Sequence, residues 1–574
     1  MRRRTFVGTL LGTAAATALP SRLLAARIPA SALDELRRRV GSRLIAVNSP
    51  LVAARSGGAD ADALFKALKN PYYLGDEPSL TQTLGWIDAW TSQPSAMAVA
   101  AENAADVAAA VDVARKYRLR LVVKGGGHSY FGNSNAADSL LVWTRRMQDV
   151  ELHDGFVASG APAQTAGQPA VSIGAGAIWG RVYNAVAVKG GRYVQGGGCL
   201  TVGVAGFVQG GGFGHLSKQF GTGAGNLIEA EVVTADGRVR TVNRFRDPDL
   251  FFALRGGGGG TFGIVTRLTL RTHPLPSTIG AILLSIQARN DRAWRELLER
   301  TMEFYASALF NPNWGEQIGF SPGRRLSVTM VCRDLDKSQI EALWNPLLGW
   351  VRERPGDYRF EGEPAIFAVP GRSFWDPSFL RSVPGLVLQD KREGAPSDNI
   401  FWATNLGETA QVLHAYQSAW IPATLLGKSR RTDLVDALIL ASSEWSVTLH
   451  TNKGLAGGSR EALASTAETS TSPELLDAFA LLICSAEGPP AWPGIKGHEP
   501  DLADGRRQAR AVERAMRPIR ALVPKAGAYM SEADYFQKDW QRAYWGEHYQ
   551  RLQQIKRKYD PDNLFRGHQT VTAG

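Results

Sequence analysis

Twelve glycines fall within the forty residues from Val194 to Val233, VQGGGCLTVGVAGFVQGGGFGHLSKQFGTGAGNLIEAEVV. Each glycine inside a helix costs roughly 1 kcal/mol relative to alanine, so no long helix fits this run. The run is also nearly free of charge. A glycine backbone can come close to a bulky neighbour because no Cβ intervenes. The stretch is therefore suited to wrap something with its backbone N–H groups. Two further clusters repeat the theme: KGGGHSYFGNS from Lys124 to Ser134, and the run RGGGGGTFGIVT around Gly256 to Gly260.

The chain has 574 residues, too many for one compact core, so two or more folding units are expected. Hydrophobic residues make up 44% and charged residues 21%, ordinary values for a globular protein. The net charge of +11 comes without a Lys/Arg block interleaved with aromatics, which argues against nucleic acid as a partner. Three cysteines, Cys199, Cys332 and Cys484, cannot build a disulfide framework and share no C-x-x-C spacing, so no metal site is expected. Cys332 and Cys484 lie in apolar runs and read as inert core residues.

The first residues, MRRRTFVGTLLGTAAATALPSRLLAA, set basic side chains before a short uncharged run. Arg3-Arg4-Thr5-Phe6-Val7 resembles a twin-arginine export signal, which assigns residues 1–26 to a leader and the mature chain to the periplasm or the exterior. No other stretch is long and apolar enough to span a membrane, so no span is expected after export.

Strand and helix periodicities divide the rest. A strand at Ala96–Ala100, a helix starting at Glu102-Asn103 and a strand at Leu119–Val123 lead into the first glycine loop. Short strands follow, and an apolar strand from Phe262 to Leu270 ends at Pro274 and Pro276, where a domain boundary is expected. From residue 276 to 500 the pattern is α+β, suited to an antiparallel sheet backed by helices. There PELLDAFALLIC reads as helix and ALILASSEWSVTLHTN as a strand pair. A tail, residues 501–574, carries two helices around a Tyr-rich turn.

Several motif readings fail. GHSYFG has Phe131 where a nucleophile elbow needs glycine, and neither a P-loop nor an H-E-x-x-H helix is present. Gly174-Ala175-Gly176 satisfies a loose dinucleotide pattern but lacks the acidic residue that a Rossmann unit needs. His128 alone could be a ligand, a base, an attachment point or a loop-holding side chain. Its relation to Cys199 is more informative: each follows three glycines. A nucleophilic His and Cys beside close-approach backbone suit covalent tethering of a flat cofactor such as an isoalloxazine. Imidazole nitrogen can bond its 8α carbon and sulfur its C6, and both bonds raise its reduction potential.

The joint pattern of KGGGHSYFGNS, GGGCLTVGVAGFVQGGGFGHLSKQFGTGAGN, GGGGGTFGIVT and the terminal YDPDNLF resembles the berberine bridge enzyme-like flavoproteins, within the vanillyl-alcohol-oxidase superfamily. The resemblance runs from about Trp90 to Val571. It implies an α+β fold: a two-lobed PCMH-type FAD-binding domain at 92–275, a substrate domain at 276–500, and the segment 501–574 returning to the first domain. It implies bicovalent FAD on His128 and Cys199. Further cofactor positions by resemblance are Lys124, Gly125, Gly126, Gly127 and Ser129, then Gly198, Thr201, Val202, Gly203, Gly206, Gly210, Gly214 and Gly221, with Asn226, Ile264, Val265 and Asn563. Asn563 and Gln569 are expected to tie the tail back.

Catalytic candidates by the same resemblance are Tyr529 first, then Glu532, Tyr535 and Tyr130. The family's Tyr-x-Asn tail motif reads Tyr529-Met530-Ser531-Glu532 here, and Phe213 stands where plant members carry a titratable tyrosine. Val202, small and three residues after the cysteine, favours access of O2 to the reduced ring. The expected activity is an oxidase that takes a hydride from a hydroxyl-bearing carbon of a small molecule and makes hydrogen peroxide. The alternatives are a dehydrogenase with a quinone or other acceptor, and a non-catalytic flavin- or ligand-binding protein.

Overall fold

The capped helix that the sequence announces after Glu102 is the pivot of the first lobe in the computed structural model, which describes residues 28–574. Asn103 caps it by accepting a bond from the Asp106 N–H, and the helix runs Ala104–Tyr117. It covers a four-stranded sheet in the order Leu44–Ala46, Met97–Ala100, Ser139–Trp143, Arg120–Lys124. The last three strands are parallel and the first is antiparallel. A helix at Ala30–Val40 packs on the same core through Ala32, Leu36 and Val40. Residues 28–91, which sequence patterning left unassigned, thus complete this lobe and reach beyond it. The expected leader, residues 1–26, lies outside the described residues.

The second lobe is an antiparallel sheet in the order Val239–Asn243, Leu227–Val233, Ile264–Pro274, Gln168–Gly174, Val150–Phe156, with Arg192–Val194 paired to the far end of Ile264–Pro274. The glycine-rich run lies between these strands and holds only the short helices Val204–Gln209 and Ser217–Phe220. Its composition predicts that brevity.

The middle of the chain forms a ten-stranded sheet. Helices Asp291–Phe304, Lys337–Arg352 and Arg431–Glu444 bury their apolar faces against it. Two assignments in this region change. Pro473–Cys484 is not a helix: after a single turn at Glu474–Asp477 the chain becomes the strand Ala478–Gly488. Leu482 and Cys484 enter the helix-backed core, whereas Leu481 and Ile483 join a cluster with Phe213, Trp420 and Tyr529. A strand buried on both faces loses its alternating pattern, which is why the run looked helical. Conversely, Ala437–Glu444 ends a helix, and only Val447–His450 is a strand.

The tail also divides differently from the expectation. Helix Leu502–Leu522 packs Val512, Ala515, Met516 and Ile519 into the middle domain's core. After Gly527 the chain runs into the first domain's core, which Ala528, Ala533, Ala543 and Tyr544 join. Lys556 anchors the return. Its fully buried ammonium donates to the carbonyls of Thr261 and Phe565 and to Asp560 Oδ2, each at 2.6 Å. Asp560 in turn accepts from the Leu564 and Phe565 N–H groups. Asn563, at φ 51°, accepts from the Ala573 N–H, and Gln569 bonds the carbonyls of Asp534, Tyr535 and Gln537. Lys556→Met leaves the Asp560 carboxylate buried without its cation. The expected loss is about 3–5 kcal/mol in equilibrium denaturation.

Candidate functional site

Two loops meet backbone to backbone at the centre of the first domain. A Cβ on Gly126 would lie 2.6 Å from the Gly203 nitrogen, and one on Gly203 would lie 2.6 Å from the Gly126 nitrogen. No side chain fits at either position. Gly127 turns the first loop at φ +75°, in the left-handed region that glycine enters freely. This contact brings His128 and Cys199 to one place. Thr201 stands between them, its Oγ1 3.4 Å from His128 Nε2 and 3.5 Å from Cys199 Sγ. His128, Tyr130, Cys199 and Thr201 line one cavity, together with Gln82, Phe401, Asn405, Glu408 and Gln411 among others.

The electrostatics follow from burial. Desolvation pulls the His128 imidazole down to about 4, so it is neutral near pH 7. Burial, and then the Glu408 charge, pushes the Cys199 thiol up, while the Thr201 hydroxyl opposes that shift. Glu408 is an exposed residue at the edge of the cavity it lines. Desolvation, then the charges of Glu487 and Glu532, raises its carboxyl to about 7. Burial raises the Tyr130 and Tyr416 hydroxyls well above the usual phenol value, so both stay protonated. Their rings lie 5.1 Å apart. Glu532 forms an ion pair with Lys453.

The other expected residues sort into two groups. Tyr130 and Glu532 belong to this neighbourhood. Tyr529 lines a separate cavity with Phe213, Trp420 and Thr471. Its hydroxyl accepts from the Gly212 N–H, and its ring meets Phe213 edge-on at 5.0 Å. Tyr535 stacks on His568 at 3.6 Å within the tail's knot. Among the cofactor positions, Lys124 changes role. Its buried ammonium donates to the carbonyls of Glu77, Pro78 and Leu80 at 2.7–2.9 Å, which uses all three hydrogens. It staples the segment before Leu80 rather than offering charge to a ligand. Ser129 accepts from the N–H groups of Phe131 and Asn133 and shapes its own turn. Asn226 bonds the carbonyls of Phe220 and Thr222 and pairs with His273, so it holds its loop. Ile264 and Val265 are buried strand residues paired with Val233 and Val232.

Gly198 abuts His215, and its carbonyl accepts from the Trp402 indole at 2.8 Å. A Cβ on Gly214 would overlap the Gly196 carbonyl, and Gly221 sits at φ +79°. Gly206 is open: a Cβ there would meet nothing within 4 Å, and Gly259 faces it from the third glycine cluster. Beside Gly210, the Ser531 side chain is exposed. Val202 is half-buried and donates to the Cys199 carbonyl. Sequence reasoning missed Glu408, Tyr416 and Lys453. They lie in unremarkable runs, and only the middle sheet brings them to the glycine loops.

Gly126→Ala pushes the two loops apart. The expected cost is about 1–3 kcal/mol in equilibrium denaturation.

The geometry can be set against known proteins. Residues 95–243 match the FAD binding domain family, and residues 528–572 the family described as berberine and berberine like. The FAD-linked oxidoreductase easE of Arthroderma otae is 32% identical over 475 residues, covering 81% of this chain and 70% of that protein. The VAO-type flavoprotein MtVAO615 from Myceliophthora thermophila superposes with a TM-score of 0.75 at 24% identity, over 96% of each chain. The glucooligosaccharide oxidase of Acremonium strictum, described with a 6-S-cysteinyl, 8α-N1-histidyl FAD, has a TM-score of 0.62 at 20% identity, over 86% of this chain and 94% of that one. The two structural likenesses establish a shared fold, and the sequence relative establishes kinship. The chain belongs to the FAD-linked oxidoreductases, with a C-terminal segment of the berberine and berberine like family.

Proposed function

We propose that this chain is an oxidase whose FAD is bonded to both His128 and Cys199, and that it takes a hydride from a hydroxyl-bearing carbon and reduces O2 to hydrogen peroxide. One observation carries the reading: an imidazole and a thiol from separate loops converge on one cavity, bridged by Thr201. Other residues fit the cofactor. The open glycine face at Gly206 suits a flat or extended group approaching backbone. Within the described residues, buried Gln209 Oε1 and Thr261 Oγ1 in the same loops lack a hydrogen-bond partner.

FAD, when bound, supplies the hydride acceptor. The protein's residues do the rest. Neutral His128 has a lone pair free for bonding. Tyr130 and Tyr416, held protonated, are donors that can orient a substrate oxygen. Glu532 is tied to Lys453, whereas Glu408 has no cationic partner among the described residues. A carboxylate poised near neutrality matches the task of accepting a hydroxyl proton, so Glu408 takes that role in place of Tyr529. Sugars, alcohols and hydroxylated secondary metabolites are the substrate classes. The glucooligosaccharide oxidase among the structural relatives supports the first. Val202 stands three residues after Cys199, where the family's small residues admit O2, which supports an oxidase over a dehydrogenase. The Arg3-Arg4 start supports export by the twin-arginine route to the periplasm or beyond.

Acid-precipitated protein is expected to stay yellow, with flavin mass on the peptides containing His128 and Cys199. Flavin recovered wholly in the supernatant would refute the two bonds. Peroxide release under air across sugars and alcohols identifies the substrate, and flavin bleaching without peroxide would mark a dehydrogenase. With that substrate, Glu408→Gln is expected to lower kcat about 100-fold or more while the flavin spectrum persists. Because Glu408 must be ionised to accept a proton, turnover should fall as pH drops through about 7, and the pH–rate profile reads this directly.

A further inference from the structure

The chain leaves the ten-stranded sheet after the strand Ala365–Pro370 and rejoins it at the strand Gln411–Pro422. Among the described residues, every main-chain to main-chain hydrogen bond of residues 372–409 stays inside that stretch. Its first part is anchored by packing, since Phe374, Trp375 and Leu380 join the first domain's core. Residues 383–409 are held differently. Only two apolar side chains there, Ile400 and Phe401, are buried. The short strands Val387–Gln389 and Ile400–Trp402 pair with each other alone. A stretch with so little buried apolar area opens at a lower free energy than the sheets around it. Both of its ends can turn. Gly385 sits at φ +75° with nothing within 4 Å of a Cβ, and Ala410 holds a left-handed φ of 57°, which an alanine keeps only under constraint from its surroundings.

We propose that residues 383–409 form a lid over the cavity, clasped shut by Arg392, and that its closing brings Glu408 to the substrate. The inference takes the role of Glu408 from the reading above and adds the motion. Phe401, Asn405, Glu408 and Thr409 line the cavity from the lid, whereas His128, Tyr130, Cys199 and Thr201 line it from the first domain. Polar side chains make the seam. Arg392 donates to Asp76 Oδ2 at 2.7 Å and to the two Asp390 oxygens at 2.9 and 2.7 Å. Arg145 holds Asp76 from the other side at 2.8 Å. Asn70 donates to Asp390, the Tyr72 hydroxyl to the Ile400 carbonyl, Asn184 to Asp398, and the Trp402 indole to the Gly198 carbonyl. Bonds of this kind exchange for bonds to water at small net cost, unlike buried apolar area. Asp390 lies on the lid with Arg392, so that pair travels with it and opening parts Arg392 from Asp76. Those two side chains are 35% and 40% exposed, so dissolved ions reach the clasp.

The test places spin labels on two exposed positions of the holoprotein, Ser397→Cys on the lid and Lys66→Cys on the N-terminal segment, and measures the distance between them by pulsed electron paramagnetic resonance. The labelled protein should show one main distance and a minor, longer one. The longer population should grow at about 1 M salt, and about tenfold when Arg392→Gln is added, the effect of one lost charge-assisted bond. If Arg392→Gln prevents folding, the salt series alone carries the expectation. In the peroxide assay, Arg392→Gln should lower kcat/KM several-fold and keep the acid limb near pH 7, because fewer molecules hold Glu408 in place. A single distance that neither salt nor Arg392→Gln changes would overturn the lid. A larger open population with kcat/KM unchanged would overturn its part in turnover. A wild type that oxidises neither sugars nor alcohols would refute the reading of Glu408, while the label distances would still decide whether the lid moves.

Discussion

The contact between Gly126 and Gly203 is the constraint on which the site depends. Two backbones approach to a distance that no Cβ permits. That approach draws His128 from the parallel lobe and Cys199 from the glycine-rich run onto one cavity. The rest of the first domain can be read as support for it. The strand Arg120–Lys124 delivers one loop, and the helix Val204–Gln209 ends the other. The glycines are thus a packing device as much as a source of conformational freedom, since both positions would be blocked by alanine.

Buried ammonium groups recur as fasteners around this centre. Lys124 donates to three carbonyls of the N-terminal segment, Lys218 to the carbonyls of Gly454 and Ala456, and Lys556 to Thr261, Phe565 and Asp560. Each ties a glycine-bearing loop or its flank to a segment distant in sequence. A buried lysine is costly unless its hydrogens find acceptors. Burial pulls Lys124 and Lys218 down to about 7. The same fasteners keep positive charge engaged and away from the cavity. What faces the cavity is therefore acidic or neutral: Glu408, with Glu532 and Lys453 as a closed pair nearby.

Local signals made the first domain legible. The Asn103 cap, the helical spacing after it and the glycine clusters each reflect backbone chemistry within a few residues, and the elements appear where these predict them. His128 and Cys199 were legible too, because each carries its own glycine triplet. The strand Ala478–Gly488 was not. Both of its faces are buried, so the alternation that marks a strand is erased. Lys124 misled for a related reason: a lysine beside glycines looks like a ligand for negative charge until its three acceptors, more than forty residues upstream, are in place.

The sequence by itself determined that close-approach backbone would present His128 and Cys199, since that follows from residue type and immediate neighbours. Only the tertiary structure decided which groups stand opposite. Glu408, Tyr416 and Lys453 come from the middle domain, and no local pattern links them to residues 128 and 199. Tyr529 and Glu532, three positions apart in the chain, part company because the turn between them sends one side chain into an aromatic cluster and the other to an ammonium ion. Side-chain direction at a turn, and the register of a sheet assembled from distant strands, are set by packing across the whole fold, which a reading along the chain does not contain.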